Sequence, residues 1–397
     1  MTTLSADQGS DGAFARSAEP VSHPGPFADD DGAPGEGMAL CLSGGGYRAM
    51  VFHLGVLWRL NDAGLLGRLA RVSSVSGGSI TAAALAARWG DLGFDESGRA
   101  ANFEENVVEP VREMARQDVD VPSVLGGALS PWHSASGRVA EAYRDHLFGD
   151  ATLQDMPDEP RFVINATNLE SGVLMRFMKS YLADYRVGRV ESPRVSLATA
   201  VAASSAFPPF LSPCILDLRD AAWVDERGND LATSEYRGEL SLSDGGVYDN
   251  LGLETAWKRH DTILVSDAGG HFSADASPPS DWGRHLLRVL GVIDNQVRSL
   301  RKRQVIDAFR RGDRSGAYFG IRSHVADYPV ADPFDCDEAT TLALAGISTR
   351  LEGMDDARQE SLVNWGYAIC DTGLRSYVTK GTSRPPQLPY PDRPLSR

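Results

Sequence analysis

No stretch of the 397-residue chain approaches the roughly 20 consecutive apolar residues of a membrane-spanning helix. The longest candidate, residues 81–87, is short and alanine-rich. Positive charge is scarce too. Lys and Arg number 39 against 54 Asp and Glu, a formal net charge of -15. That balance speaks against a nucleic-acid binder, which needs a basic face to release counterions. It also disfavours strong electrostatic docking on anionic lipid. The four cysteines (Cys41, Cys214, Cys336, Cys370) are far apart and form no CxxC pair. Neither a zinc site nor a disulfide framework is therefore expected, and the scheme below needs no metal and no cofactor. The opening "MTTLSADQGSDG" has neither the basic region nor the apolar stretch of a secretory signal. The expectation is a reduced, cytoplasmic protein.

What is present is ample core material, 42% hydrophobic and 23% charged. Residues 1–37 are rich in Asp, Glu, Ser, Pro and Gly and read as a disordered acidic arm. Residues 381–397 form a proline-rich tail expected to be irregular. Between them, over residues 38–380, short apolar runs alternate with helical patterns. "MALCLS" reads as a buried strand, and "YRAMVFHLGVLWRLNDAG" as a helix with Gly64 at its C-terminal cap. "RVSSVS" and "DTILVSDAGG" are further strands, and "RFVINATN" and "VLMRFM" a strand pair turning through "LESG". "SLATAVAASSAF" is a small-residue helix opening at a Ser196 N-cap and stopped by Pro208-Pro209. "HLLRVLGVIDNQVRSLRKRQVIDAFRR" is a long helix. Strand–helix alternation of this kind predicts an α/β fold with a largely parallel sheet.

Two glycine-rich turns, each feeding a helix, carry the chemistry. "CLSGGGYR" ends a strand and exposes backbone N–H groups at a helix N-terminus, which suits an anion, either a phosphate or a transient oxyanion. It has the spacing of neither phosphate motif, GxxxxGK[ST] or GxGxxG. A plain tight turn is the other reading. "SSVSGGS" matches the G-x-S-x-G nucleophile elbow except that Ser74 stands in the first glycine's place. Ser76 is either that elbow's nucleophile or simply an N-cap. A serine nucleophile needs a base. His53 falls within the first helix, and His271 and His285 sit in no motif. Asp244 in "LSLSDGGVYDNLG" is a candidate base or an ordinary Asp-Gly turn.

In their order, "SGGGYR", "SVSGG", "SAFPPFLSP" and "DGGVYDN" resemble the patatin-like phospholipase family. The resemblance implies a three-layer α/β/α fold with a central, mostly parallel sheet. It implies a Ser–Asp dyad in place of a triad, with Ser76 as nucleophile and Asp244 as base. Gly44, Gly45 and Gly46 would form the oxyanion hole, with Arg48 supporting that loop. The implied activity is hydrolysis of fatty acyl esters, of the phospholipase A or lysophospholipase type, by an acyl-enzyme route. Implied partners are phospholipid or another acyl-ester lipid, met in transient contact with a membrane surface. A hydrolase or acyltransferase acting on other esters or thioesters, and a silent binding protein, are the alternative classes. Asp267, Asp249, Asn250, Asn165 and Asn168 read as structural. Phe207, Pro208, Pro209 and Phe210 either line an acyl channel or pack. The basic cluster Arg298, Arg301, Lys302 and Arg303 either touches headgroups or is a solvated helix face.

Overall fold

The computed structural model describes residues 35–119, 135–226 and 228–396. The acidic arm read over residues 1–37 lies outside these, save that residues 35–37 already begin the first strand. The strands are β1 (Gly35–Leu42), β2 (Leu69–Val75), β3 (Arg161–Asn168), β4 (Val173–Phe177), β5 (Tyr181–Asp184), β6 (Gly188–Glu191), β7 (Cys214–Asp217), β8 (Trp223–Val224), β9 (Glu239–Asp244), β10 (His260–Asp267) and β11 (Ser315–Gly320). They form one mixed sheet in the order β11-β10-β1-β2-β3-β4-β5-β6-β8, with β9 paired to both β3 and β7. From β11 to β3 every pairing is parallel; beyond β3 they are antiparallel. The sheet is flanked by helices α1 (Gly46–Asp62), α2 (Gly77–Ala87), α3 (Leu197–Ser204), α4 (Trp282–Arg311) and α5 (Asp356–Tyr377).

The period-two alternation of a strand explains the layering. On one face, Leu40, Leu42, Val72 and Leu264 pack under α1, α2 and α5 in the main core. On the other, Ala39, Cys41, Ile263 and Val265 meet Leu251, Leu253 and Val305. Side chains such as Phe52, Leu54 and Trp365 are at most 1% exposed. Burying each contributes about 1.5–3 kcal/mol or more to folding. Ser196 caps α3 as read, its hydroxyl accepting from the Thr199 amide at 3.1 Å.

The proline-rich tail is irregular but not loose. Tyr390 stacks edge-on against Trp58 and beneath the Arg112 guanidinium. Asn364 donates to the carbonyls of Tyr390 and Arg393, and Leu395 is buried. Aromatic and aliphatic side chains among the prolines secure it to α5.

Candidate active site

Strand β3 serves as a common ruler for two others. β2 runs parallel beside its first half, ending with Val75 opposite Asn165. β9 runs antiparallel beside its second half, ending with Asp244 opposite Ala166. The two strand ends therefore meet on neighbouring rungs, and the residue after Val75 is Ser76.

Ser76 is the single residue between β2 and α2. Its backbone has φ 52° and ψ -123°, and its side chain does not cap the helix. Only one other described non-glycine residue, Ser192, has a positive φ. Such a conformation costs on the order of 1–3 kcal/mol and persists only where its surroundings hold it. The Ser76 amide donates to Ser204 Oγ at 3.0 Å, and Ser204 in turn donates to the Asn165 carbonyl at 2.6 Å. Ser74, in the place of the elbow's usual glycine, lies within β2 and donates to the Val163 carbonyl while accepting from Ser79. Its hydroxyl is absorbed by the interior, so the turn forms without glycine.

Asp244 is 3% exposed and Ser76 7%. The carboxylate accepts from the Gly246 amide at 2.7 Å, and the Ser76 hydroxyl lies close enough to favour its charged form. Burial raises its pKa from 3.8 to about 6, against the lowering effect of those two groups. Its backbone is fixed on both sides: the amide donates to Ala206 and the carbonyl accepts from Thr167 Oγ1.

The glycine loop closes the site from the β1 side. The Gly44 amide donates to the Asn250 carbonyl at 3.1 Å. The amides of Gly45 and Gly46 have no partner among the described residues and head α1. Both glycines have positive φ, 142° and 58°. A Cβ on Gly46 would collide with the Thr349 carbonyl. Gly77, next to Ser76, lies so close to Gly46 that its own Cβ would strike that residue's carbonyl. The two glycine-rich turns are therefore in contact. Where they meet, the N-termini of α1 and α2 favour negative charge.

Arg48 reaches behind this loop rather than into it. Its guanidinium donates to the carbonyls of Ala268, Ala345 and Ile347 at 2.7–2.9 Å. It is 3% exposed, and Ala268 is the residue whose carbonyl backs Gly45. His53 supports the same loop. Its Nε2 bonds the Ser43 carbonyl, which can only accept, so Nδ1 accepts from Ser266 Oγ. Burial presses its pKa down to about 4.

The remaining sequence candidates have other employment. Asp267 accepts from Tyr318 Oη and the Gly269 amide and faces Arg298. Asp249 accepts from the amides of Leu251 and Glu254. His271 and His285 are exposed. Of the basic cluster, Arg298 and Arg301 are tied to Asp267 and Glu254, the Lys302 ammonium lies over the Tyr318 ring, and Arg303 faces solvent. Phe207 and Phe210, read as channel lining or packing, are 61% and 54% exposed, which sets packing aside. Ser204 was not legible as a partner of Ser76, because nothing in its alanine-rich helix distinguishes it.

The family model for patatin-like phospholipases matches residues 40–257, which include both glycine turns, Ser76 and Asp244. Human GIVD cytosolic phospholipase A2, solved in complex with methyl gamma-linolenyl fluorophosphonate, is 15% identical. That match covers 85% of this chain and 57% of the other, with a TM-score of 0.45. VipD from Legionella pneumophila is also 15% identical, over 85% of this chain and 66% of its own, with a TM-score of 0.35. In both cases this chain spans less than two thirds of the other's length. None of the curated proteins matches it.

Proposed function

The chain belongs to the patatin-like phospholipase family, and from that premise we propose that it hydrolyses fatty acyl esters of lipids through a Ser76–Asp244 dyad. One observation carries the reading: β3 brings Ser76, held at positive φ, beside a buried carboxylate whose charged form the serine hydroxyl favours.

The steps follow from that pair. Ser76 Oγ attacks the ester carbonyl carbon as its proton passes to Asp244. The carbonyl oxygen becomes an oxyanion facing the free amides of Gly45 and Gly46, with Gly44 engaged elsewhere as a structural member of the loop. Donors aimed at developing charge in a water-poor site are worth about 100- to 1,000-fold each in rate. Collapse breaks the ester C–O bond, and Asp244 returns the proton to the departing alcohol. Water then attacks the acyl-enzyme, giving its proton to Asp244, and the fatty acid leaves as Ser76 regains a proton. A base with a pKa near 6 suits this cycle, since it is ionised at neutral pH yet able to hold a proton transiently.

Arg48 acts as a positioning residue for the glycine loop. Transient contact with a lipid surface is supported by Phe207, Phe210 and Val247, which are more than half exposed near the dyad. No described helix is long and apolar enough to cross a membrane.

The test is mass spectrometry of products from mixed polar-lipid liposomes, comparing the native chain with Ser76→Ala. Free fatty acid and lysophospholipid from the native chain alone are expected. Equal product from both would sink the dyad.

A further inference from the structure

The buried apolar residues of α4 lie in its C-terminal third, while the earlier turns are held by Arg298 on Asp267 and by Arg288 on the Ser273 carbonyl and the Phe272 ring. Val305 and Ala308 are buried, with Ile306 and Phe309 partly so, against the β1 and β10 face of the sheet. Ahead of them, Leu286, Leu290, Ile293, Val297 and Leu300 are each at least 37% exposed, and Trp282 is 84% exposed. With Val289 and Val292, also exposed, these residues fall within an arc of about 160° at 3.6 residues per turn, which also takes in Gln296, while the exposed Leu287 lies outside it. Arg288, Asp294 and Arg298 all fall outside that arc. A stripe this wide exceeds the narrow a/d seam through which two helices pair.

Charge points to the occupant. Residues 282–311 carry eight Lys and Arg against two Asp, a net +6 in a chain of net -15. An apolar arc bordered by cationic residues, with a tryptophan at one end, is the layout of a helix lying in a lipid interface. The helix also passes the dyad: it touches the Gly246–Asp249 turn that follows Asp244.

We propose that α4 is the docking element for an anionic lipid surface, its apolar arc sunk between the acyl chains and its exposed Arg303 and Arg310 reaching the phosphates. The proposal rests on the lipid hydrolase reading and names the partner surface of that same site. The overall negative charge keeps the rest of the molecule off such a surface, so the contact is oriented by this helix.

Flotation of full-length Ser76→Ala with phosphatidylcholine vesicles, with and without phosphatidylglycerol, tests it without hydrolysis. Strong co-flotation with the anionic vesicles is expected, weakening as salt is raised. Leu290→Ser with Ile293→Ser should lower the bound fraction at least about tenfold. Arg303→Gln and Arg310→Gln should each lower it about fivefold. All are exposed positions, so melting temperatures should match the parent. Equal flotation by parent and helix variants overturns the proposal, and so does no flotation at all. A dimer that Leu290→Ser with Ile293→Ser converts to monomer, without lipid binding, overturns it in favour of self-association. Turnover of a short-chain soluble ester by chains with Ser76 intact reports separately on the hydrolase reading.

Discussion

The backbone amide of Ser76 donates to the hydroxyl of Ser204, 3.0 Å away and 128 residues later in the chain. Ser204 is therefore the residue that holds the proposed nucleophile in its left-handed turn. Ser204→Ala leaves a buried N–H without a partner, a loss of about 1–3 kcal/mol in stability. The expected kinetic effect is a fall in kcat of about tenfold with KM little changed, corresponding to about 1.4 kcal/mol of transition-state stabilisation. Steady-state kinetics beside a denaturant melt would read both.

Stability and activity should diverge at Ser76 itself. Glycine occupies φ 52° without strain, so Ser76→Gly is expected to gain about 1–3 kcal/mol of stability. The same change removes the nucleophile, and turnover should fall by at least about 10,000-fold. A destabilised Ser76→Gly protein would contradict the strain.

Asp244 sets a pH signature. With its pKa raised to about 6, kcat/KM should fall with unit slope below that pH and level off above it. The same shift has a stability counterpart. Between about pH 6 and 4 the folded chain binds a proton that the unfolded chain does not, so this group's contribution to stability grows as pH falls. Asp244→Asn removes the buried charge. It should therefore be more stable than the parent at pH 8, by up to about 3 kcal/mol, with the difference vanishing below pH 4. A flat activity profile from pH 5 to 8 would remove Asp244 from the mechanism.

Arg48→Met deprives the Ala268, Ala345 and Ile347 carbonyls of their shared donor. A loss of about 2–4 kcal/mol is expected. If the loop it braces presents the oxyanion donors, fluorophosphonate labelling of Ser76 should slow in proportion to kcat. Unchanged labelling with reduced stability would make Arg48 purely structural.

Ser74→Gly installs the elbow's usual residue. Because the Ser74 hydroxyl bonds Val163 and Ser79, the variant should lose about 1–2 kcal/mol while keeping near-native kcat. A marked fall in kcat would show that the serine has a part beyond packing.

Local signals made the elements around the site legible in advance. Apolar runs marked β1, β2 and β10, Ser196 marked the start of α3, and paired glycines marked both turns. Small residues around Ser76 and Asp244 made both candidates, but an N-cap and an Asp-Gly turn stayed open until the order of the motifs suggested the family resemblance. The partners that make the site rigid were not visible. Ser204, Thr167 and the three carbonyls bound by Arg48 are joined to it only by long-range folding. Phe207 and Phe210, whose packing alternative their exposure sets aside, illustrate a related limit. Hydropathy registers an aromatic residue but not which way the loop turns it. For α4 two signals pointed apart: whole-chain charge argued against anionic lipid, while the long helix was legible and its basic cluster left headgroup contact open.

The β3 ruler has a consequence for how the activity comes into being. The first half of β3 takes β2 and the second half takes β9, so neither Ser76 nor Asp244 has a correct address until both strands have zipped onto it. A one-residue slip of β9 would turn the Asp244 side chain to the opposite face of the sheet and part it from Ser76. Nearly 170 residues of chain separate the two, and everything between must be threaded before they meet. On the proposed dyad, a half-made molecule would carry the nucleophile without its base, and the proposed activity would arrive only once β2 and β9 are both in register on β3.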